Sequence, residues 1–162
     1  GSAGGGMLTQ IGDDCLLMAQ AHIAHDCKLG NSVIMANAAT LAGHVTIEDR
    51  ATVGAYSGVH QFCRVGREAY IGGYSVVVKD ALPFALTVGN HARCFGLNTT
   101  GMKRRGYSRE IIKSLHHAFR LLLSSKLNTS QALEQIKELV PDCSEVAELV
   151  TFIETSQRGV VK

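Results

Sequence analysis

The sequence predicts a parallel β-helix followed by a small α-helical region. Stepping by six residues from Ile11 to Val77 meets an aliphatic residue or a methionine at each of the twelve steps. The residue four positions after each of the first eleven, from Cys15 to Ser75, is always small. Two inward positions per six residues, one aliphatic and one small, are typical of short parallel strands joined by tight corners. Beyond Pro83 this period stops and apolar residues recur at helical spacing.

Three such hexads make one coil of 18 residues, so the repeat predicts about four coils. Residues 18 positions apart then stack at the inter-strand spacing of ~4.8 Å. Hexapeptide repeats of this kind resemble the left-handed parallel β-helix, an exception to the right-handed crossover rule. We expect the left-handed parallel β-helix over residues 1–90, an ordered loop over 91–107 and an α-helical domain over 108–162. The helices are predicted at 109–123, 130–140 and 144–155, with Ser108 as the N-cap of the first and Asp142-x-x-Glu145 resembling a capping box before the last.

Composition narrows the class of protein. No apolar run approaches the ~20 residues needed to cross a bilayer, which predicts a soluble protein without a transmembrane segment. Five cysteines without a CxxC pair indicate neither a disulfide framework nor a zinc knuckle. Between His91 and Lys126 eight basic residues stand against the single acid Glu110. This segment is expected to attract an anionic partner, and nothing in the pattern indicates nucleic acid.

Polar residues gather at one corner of the predicted coils. Stacking by 18 places His25 under Gly43 and Asp26 beside His44. Gly43 in turn lies under Gln61. None of four histidines falls at an inward position, so all four should point away from the core: His22, His25, His44 and His60.

Such a cluster suits proton transfer. Histidine titrates near neutrality and can take a proton from a hydroxyl and return it to a leaving group. A neighbouring carboxylate fixes the imidazole and stabilises its cation. His25 with Asp26 is one candidate pair, and Asp26 with His44 is the competing pair. Gly43 would leave open space and a backbone N–H that a developing oxyanion could approach.

A metal site is the rival use of these histidines. Zinc needs three or four converging ligands. A spacing of three residues does not bring His22 and His25 together on a β-coil, and Gln61 is a poor zinc ligand. The sequence therefore predicts no metal.

The order of motifs is specific enough to indicate a family. The runs AHIAHDCKLGNSVIMANAATLAGHVTIED, VHQFCRVG and GNHARCFGLNTTGMKRRGYSRE are similar to the C-terminal portion of bacterial acyl-carrier-protein:UDP-N-acetylglucosamine O-acyltransferases. The resemblance covers essentially the whole chain. It implies a cytoplasmic homotrimer that transfers a 3-hydroxyacyl or related fatty acyl group to the 3-hydroxyl of the nucleotide sugar, the first step of lipid A biosynthesis. The donor would be a phosphopantetheine-linked acyl carrier protein, with no permanently bound cofactor.

The resemblance also implies residue roles. His25 matches the general base, Asp26 the residue that assists it and Gly43 the backbone oxyanion donor. Gly73 matches the position that limits acyl length. The other residues matched to substrate contacts are His22, His44, His60, Gln61, His91, Asn98, Arg104 and Arg105. Thr100 departs from the family, which often has an acidic or amide residue there.

Two alternatives stay open. An acceptor with a 3-amino group would make the chain an N-acyltransferase. Family members carry further repeats before this start, whereas this chain opens in mid-repeat, and Gly1-Ser2 is typical of residues left by an expression vector. Without those coils, the first coil would expose an uncapped strand edge, and the chain could be a trimeric fragment that assembles without catalysis.

Overall fold

A computed structural model describes residues 6–124 and 126–162; the residues interpreted as a vector remnant, Gly1-Ser2, lie outside this range. Its first part is a parallel β-solenoid of about four turns, which confirms the repeat prediction. Partners in neighbouring coils are 18 residues apart, as Gln10 with Lys28 and Lys28 with Thr46. Twelve two-residue strands build it: β1 (Gln10–Ile11), β2 (Leu16–Leu17), β3 (His22–Ile23), β4 (Lys28–Leu29), β5 (Ile34–Met35), β6 (Thr40–Leu41), β7 (Thr46–Ile47), β8 (Thr52–Val53), β9 (Gly58–Val59), β10 (Arg64–Val65), β11 (Tyr70–Ile71) and β12 (Val76–Val77).

The strands form three parallel sheets, each taking every third strand. β1, β4, β7 and β10 make the first sheet; β2, β5, β8 and β11 belong to the second; β3, β6, β9 and β12 make the third. The turns between sheets stack into three corners, named here by their residues. The glutamate corner comprises residues 12–15, 30–33, 48–51 and 66–69, the tyrosine corner 18–21, 36–39, 54–57 and 72–75, and the histidine corner 24–27, 42–45, 60–63 and 78–81.

Each of the turns in these corners except the last, 78–81, has one residue of left-handed backbone. Asp26, His44 and Glu68 have φ of 60°, 61° and 60°. Non-glycine residues seldom adopt this conformation because the Cβ crowds the backbone. A hydrogen bond to the preceding coil compensates at many corners: the His44 N–H donates to the His25 carbonyl at 3.1 Å, and the Glu68 N–H to the Asp49 carbonyl at 3.1 Å.

Two apolar cores support the molecule. The solenoid core holds the inward rows predicted from the sequence, and Met35, Leu41 and Val53 in it are fully buried. The corresponding residues of the first coil are open to solvent, with Ile11 46% and Leu17 43% exposed. A second core joins the C-terminal helices to the top of the solenoid.

The loop expected over 91–107 is wrong. The chain instead forms a hairpin of β13 (Ala85–Gly89) and β14 (Ala92–Leu97), followed by the short helix α1 (Thr99–Arg104). β13 pairs in parallel with β11, with Leu86 beside Tyr70, so the hairpin extends the second sheet. The hairpin forms because β13 pairs with the edge strand β11, which lies earlier in the chain. The hairpin residues show no local period that would predict these strands.

Three longer helices lie close to the predicted ranges: α2 (Arg109–Leu123), α3 (Thr129–Leu139) and α4 (Ser144–Glu154). Ser108 caps α2 as expected, accepting a hydrogen bond from the Ile111 N–H. The capping box predicted at Asp142 and Glu145 is wrong, because Cys143 is the N-cap of α4 and makes no side-chain capping bond. No helix in the described ranges has both the length and the apolar composition to cross a bilayer.

The alternation of inward and outward residues gives a stability prediction. Leu41→Ala removes a fully buried side chain and should lower the free energy of unfolding by about 2–5 kcal/mol. The neighbouring exposed residue, Thr40, offers a matched control. Thr40→Ala should change the free energy of unfolding by only about 0.5 kcal/mol. Urea denaturation followed by circular dichroism measures both. Equal effects would contradict the inward assignment of the aliphatic row.

Candidate active site

The histidine corner joins two neighbouring residues in a direct contact. Asp26 lies at the left-handed turn position after β3, so its carboxylate points back beside the ring of His25. His25 Nδ1 lies 2.8 Å from Asp26 Oδ2. The Asp26 side chain is 5% exposed and that of His25 is 50% exposed. The carboxylate is therefore shielded while the opposite edge of the imidazole can meet solvent or a ligand.

His44, one coil further along, completes the cluster. Its Nε2 lies 3.9 Å from Asp26 Oδ2, and its ring meets that of His25 edge-on with centroids 5.2 Å apart. Of the two pairs left open by the sequence, His25 with Asp26 makes the shorter contact. Phe62 stacks on His44 with ring centroids 4.5 Å apart and an interplanar angle of 9°. Sequence analysis missed Phe62, although stacking by 18 from Asp26 through His44 leads to it.

Gly43 makes room for the His25 imidazole. A Cβ at Gly43 would lie 2.5 Å from His25 Cε1 and 2.7 Å from Nε2, so the ring rests directly over the glycine. The N–H groups of Ala42 and His44 both bond to other coils, whereas the Gly43 N–H takes no part in that ladder. A ligand beside His25 thus finds a backbone donor in the same turn.

His60 and Gln61 occupy the next coil of this corner, where both are exposed. His22 is exposed on β3. Buried Cys63 and Cys27 lie on the inner side of the same turns, and burial raises the pKa of Cys63 to about 11. Burial also raises the pKa of Cys27. Both cysteines are therefore neutral thiols of the core near pH 7, as their inward positions predict.

The remaining predicted residues do not lie at this corner of the same chain. Gly73 belongs to the tyrosine corner, where the exposed rings of Tyr56 and Tyr74 stack with centroids 5.2 Å apart. His91 is exposed in the turn between β13 and β14. Asn98 is the N-cap of α1; its side-chain carbonyl accepts from the Gly101 N–H and its amide donates to the Glu68 carbonyl.

Arg105 is held at the glutamate corner. The Glu68 carboxylate is 2% exposed and lies 2.7 Å from Arg105 Nε and 2.7 Å from Arg50 Nε. The Tyr107 hydroxyl donates to the same carboxylate at 3.2 Å, and burial of that phenol raises its pKa. Arg105 therefore fastens the turn between α1 and α2 to the solenoid, while Arg104 is exposed at the end of α1.

A basic groove lies between α1, α2 and the turn after α3. It encloses about 1360 Å³, and residues from these three elements line it. Four cations and one acid are among them: Lys103, Arg109, Lys113, Arg120 and Glu110. The net positive charge agrees with the anionic partner expected from the sequence.

The contact of His25 with Gly43 gives a prediction that separates activity from folding. Gly43→Ala should push the imidazole aside at little cost in stability, since the clash is with the end of a movable side chain and the φ of Gly43 is not positive. Displacing a reacting group by about 1 Å can lower a rate about 100-fold. A matched control is Gly58→Ala, because a Cβ there meets nothing within 4 Å. Thermal unfolding and turnover in the acyl transfer expected from the sequence provide the readouts for both variants; equal turnover of the two would contradict a role for the position of His25.

Comparisons with known proteins agree on one family. The model of the family described as UDP N-acetylglucosamine O-acyltransferase, domain 2, matches residues 80–161, and the bacterial transferase hexapeptide model matches residues 8–43. An acyl-[acyl-carrier-protein]–UDP-N-acetylglucosamine O-acyltransferase of Burkholderia orbicola is 43% identical over 96% of this chain and 61% of its own length. That of Alkalilimnicola ehrlichii is 41% identical over 100% of this chain and 63% of its own length.

Solved structures agree. LpxA of Acinetobacter baumannii superposes with a TM-score of 0.90 at 42% identity, covering 94% of this chain and 59% of that one. The UDP-N-acetylglucosamine acyltransferase of Campylobacter jejuni gives 0.92 at 38% identity, covering 100% of this chain and 64% of that one. The chain thus spans about 61% of the curated B. orbicola relative. With the hexad solenoid, the helical region and these matches in agreement, the chain belongs to the UDP-N-acetylglucosamine O-acyltransferase family.

Proposed function

We propose that this chain carries the catalytic part of an acyltransferase that moves a (3-hydroxy)fatty acyl group from acyl carrier protein to the 3-hydroxyl of UDP-N-acetylglucosamine, the first step of lipid A biosynthesis. One observation carries the proposal: His25 is joined to the shielded carboxylate of Asp26 and rests over Gly43, whose N–H is outside the coil ladder. The family membership supplies the substrates, which the printed names of the relatives give for those proteins.

The geometry suits a base on one side of the imidazole. With Nδ1–H donated to Asp26, the Nε2 of His25 is left as the acceptor. Nε2 would take the proton of the sugar 3-hydroxyl as the oxygen attacks the thioester carbonyl. The tetrahedral oxyanion would accept a hydrogen bond from the Gly43 N–H. Collapse would release the phosphopantetheine thiol, which takes up the proton from the His25 imidazolium, and Asp26 would stabilise that cation throughout.

The acceptor group is an inference from the relatives. They are named O-acyltransferases, which favours the hydroxyl over the 3-amino sugar of the alternative. A hydroxyl also needs a base more than an amine does, because a neutral alcohol is a much weaker nucleophile than a neutral amine. No permanent cofactor enters this mechanism.

Trimerisation is part of the proposal. The residues matched to substrate contacts lie on different corners of one solenoid, with His25 at the histidine corner, Gly73 at the tyrosine corner and Asn98 beside the glutamate corner. Contact with one ligand would require corners of neighbouring copies to face each other, as the implied homotrimer provides. The left-handed sense in which the chain coils and a cytoplasmic location are likewise proposed from the family resemblance.

A non-catalytic fragment is the second candidate function. The observation that favours it is that the chain spans about 61% of the length of the B. orbicola relative. Mass spectrometry of products from UDP-N-acetylglucosamine, its 3-amino analogue and a set of acyl carrier protein thioesters tests these readings. An ester product is expected. An amide product from a 3-amino sugar alone would refute the ester assignment, and no turnover with any donor would support the fragment.

His25 should be indispensable to turnover. His25→Ala removes the base and is expected to lower kcat by roughly 10²–10⁴-fold, with unfolding little changed because the side chain is half exposed. His25→Gln keeps similar bulk without the base and should be equally impaired. Rates are measured by product formation at saturating substrates. Retention of most activity by either variant would remove His25 from this role.

The basic groove should serve the acidic carrier. Lys113→Glu is expected to raise KM for the acyl carrier protein donor roughly threefold to tenfold, leave KM for the nucleotide sugar unchanged and flatten the salt dependence of the donor KM. Lys126→Glu reverses an exposed cation outside the groove and is the matched control. If the donor KM depended on salt equally in both variants and in the parent, the groove would have no role in donor binding.

A further inference from the structure

The cluster around Asp26 has a donor set that proton transfer alone does not require. His25, Asp26 and His44 each offer one ligand atom, and these atoms lie within 4.8 Å of one another. Two imidazoles and a carboxylate are ligands that Zn²⁺ and Co²⁺ accept readily. We propose that these three side chains form a binding site for one divalent transition metal ion of the zinc class.

The distances suit such an ion after small movements. Tetrahedral bonds of about 2.1 Å place ligand atoms about 3.4 Å apart. Asp26 Oδ2 lies 2.8 Å from His25 Nδ1 and 3.9 Å from His44 Nε2, on either side of that separation. The half-exposed His25 ring can turn to open the shorter distance, and its solvent side leaves a place for water as the fourth ligand.

The surroundings hold two of the three ligands in place. Phe62 stacks flat on His44 and restricts its ring, as supporting groups do around metal ligands. Asp26 is shielded in its corner turn. Cys27 is adjacent in sequence but is fully buried with its thiol facing the core, so it does not compete as a ligand. Among the described residues this trio is the group of His, Cys, Asp and Glu side chains close enough to share an ion.

Binding and catalysis would exclude each other, a consequence that rests on the proposed function. The ion would occupy His25 Nδ1, displacing its proton to solvent, and would take the carboxylate oxygen that otherwise holds the ring. A bound ion therefore inhibits acyl transfer and is not a cofactor for it. The metal-free mechanism predicted from the sequence is unchanged.

Cobalt provides a direct test that needs no turnover. Co²⁺ added to the metal-free full chain should give visible absorption of a four-coordinate ion that saturates at one equivalent and is displaced by Zn²⁺. His44→Gln and Asp26→Asn should each weaken Co²⁺ binding more than tenfold. His60→Ala removes an exposed imidazole from the next coil of the same corner and should leave the spectrum unchanged.

The outcomes separate the site from the function. No saturable binding by the parent chain, or binding undiminished in both His44→Gln and Asp26→Asn, would refute the site. Circular dichroism of each variant confirms that a loss of binding is not a loss of fold. Zn²⁺ should also inhibit turnover, with activity restored by EDTA. Stoichiometric binding without inhibition would support the metal site and would contradict the role of His25 as the base. Binding by a chain that shows no turnover would support the metal site and refute the proposed function.

Discussion

The hydrogen bonds between successive coils are the constraint on which the rest of the structure depends. They fix a register of 18 residues, so that the N–H of His44 meets the carbonyl of His25 and the N–H of Phe62 meets that of Gly43. A slip of one residue would turn every inward side chain outward. Because each coil places one residue at each position of a corner, side chains far apart in sequence become neighbours, and the cluster at the histidine corner follows directly from the ladder.

Much of the solenoid and of the candidate site could be predicted because both obey this single period. The period of 18 residues alone predicts that Asp26 lies beside His44 and that Gly43 lies beside His25. The same period places Phe62 next to His44. Its role was missed because the side chain of Phe62 carries no titratable or ligand group. Adjacent strand residues usually point apart, and only the left-handed turn at Asp26 lets its carboxylate reach the preceding ring.

What could not be predicted depends on contacts between distant segments. β14 exists because the hairpin adds to a sheet whose edge is formed at β11, and its own residues show no alternation strong enough to reveal it. Arg105 reads from sequence as one of several free cations. Its pairing with buried Glu68 depends on a corner that lies 37 residues earlier, and that ion pair fastens the turn between α1 and α2 to the solenoid. The buried Glu68 carboxylate is held by two cations, Arg50 from the solenoid and Arg105 from the turn after α1.

The left-handed turn residues carry a consequence for how this corner can vary. Asp26 and His44 occupy backbone positions that glycine or asparagine fills with less strain, by about 1–2 kcal/mol relative to other residues. Sequence changes selected only for a more stable solenoid would therefore tend to replace the very side chains that make the cluster. The strain itself belongs to the whole solenoid, because other turns also place non-glycine residues such as Glu68 in this conformation; at the histidine corner those residues are two of the three members of the cluster.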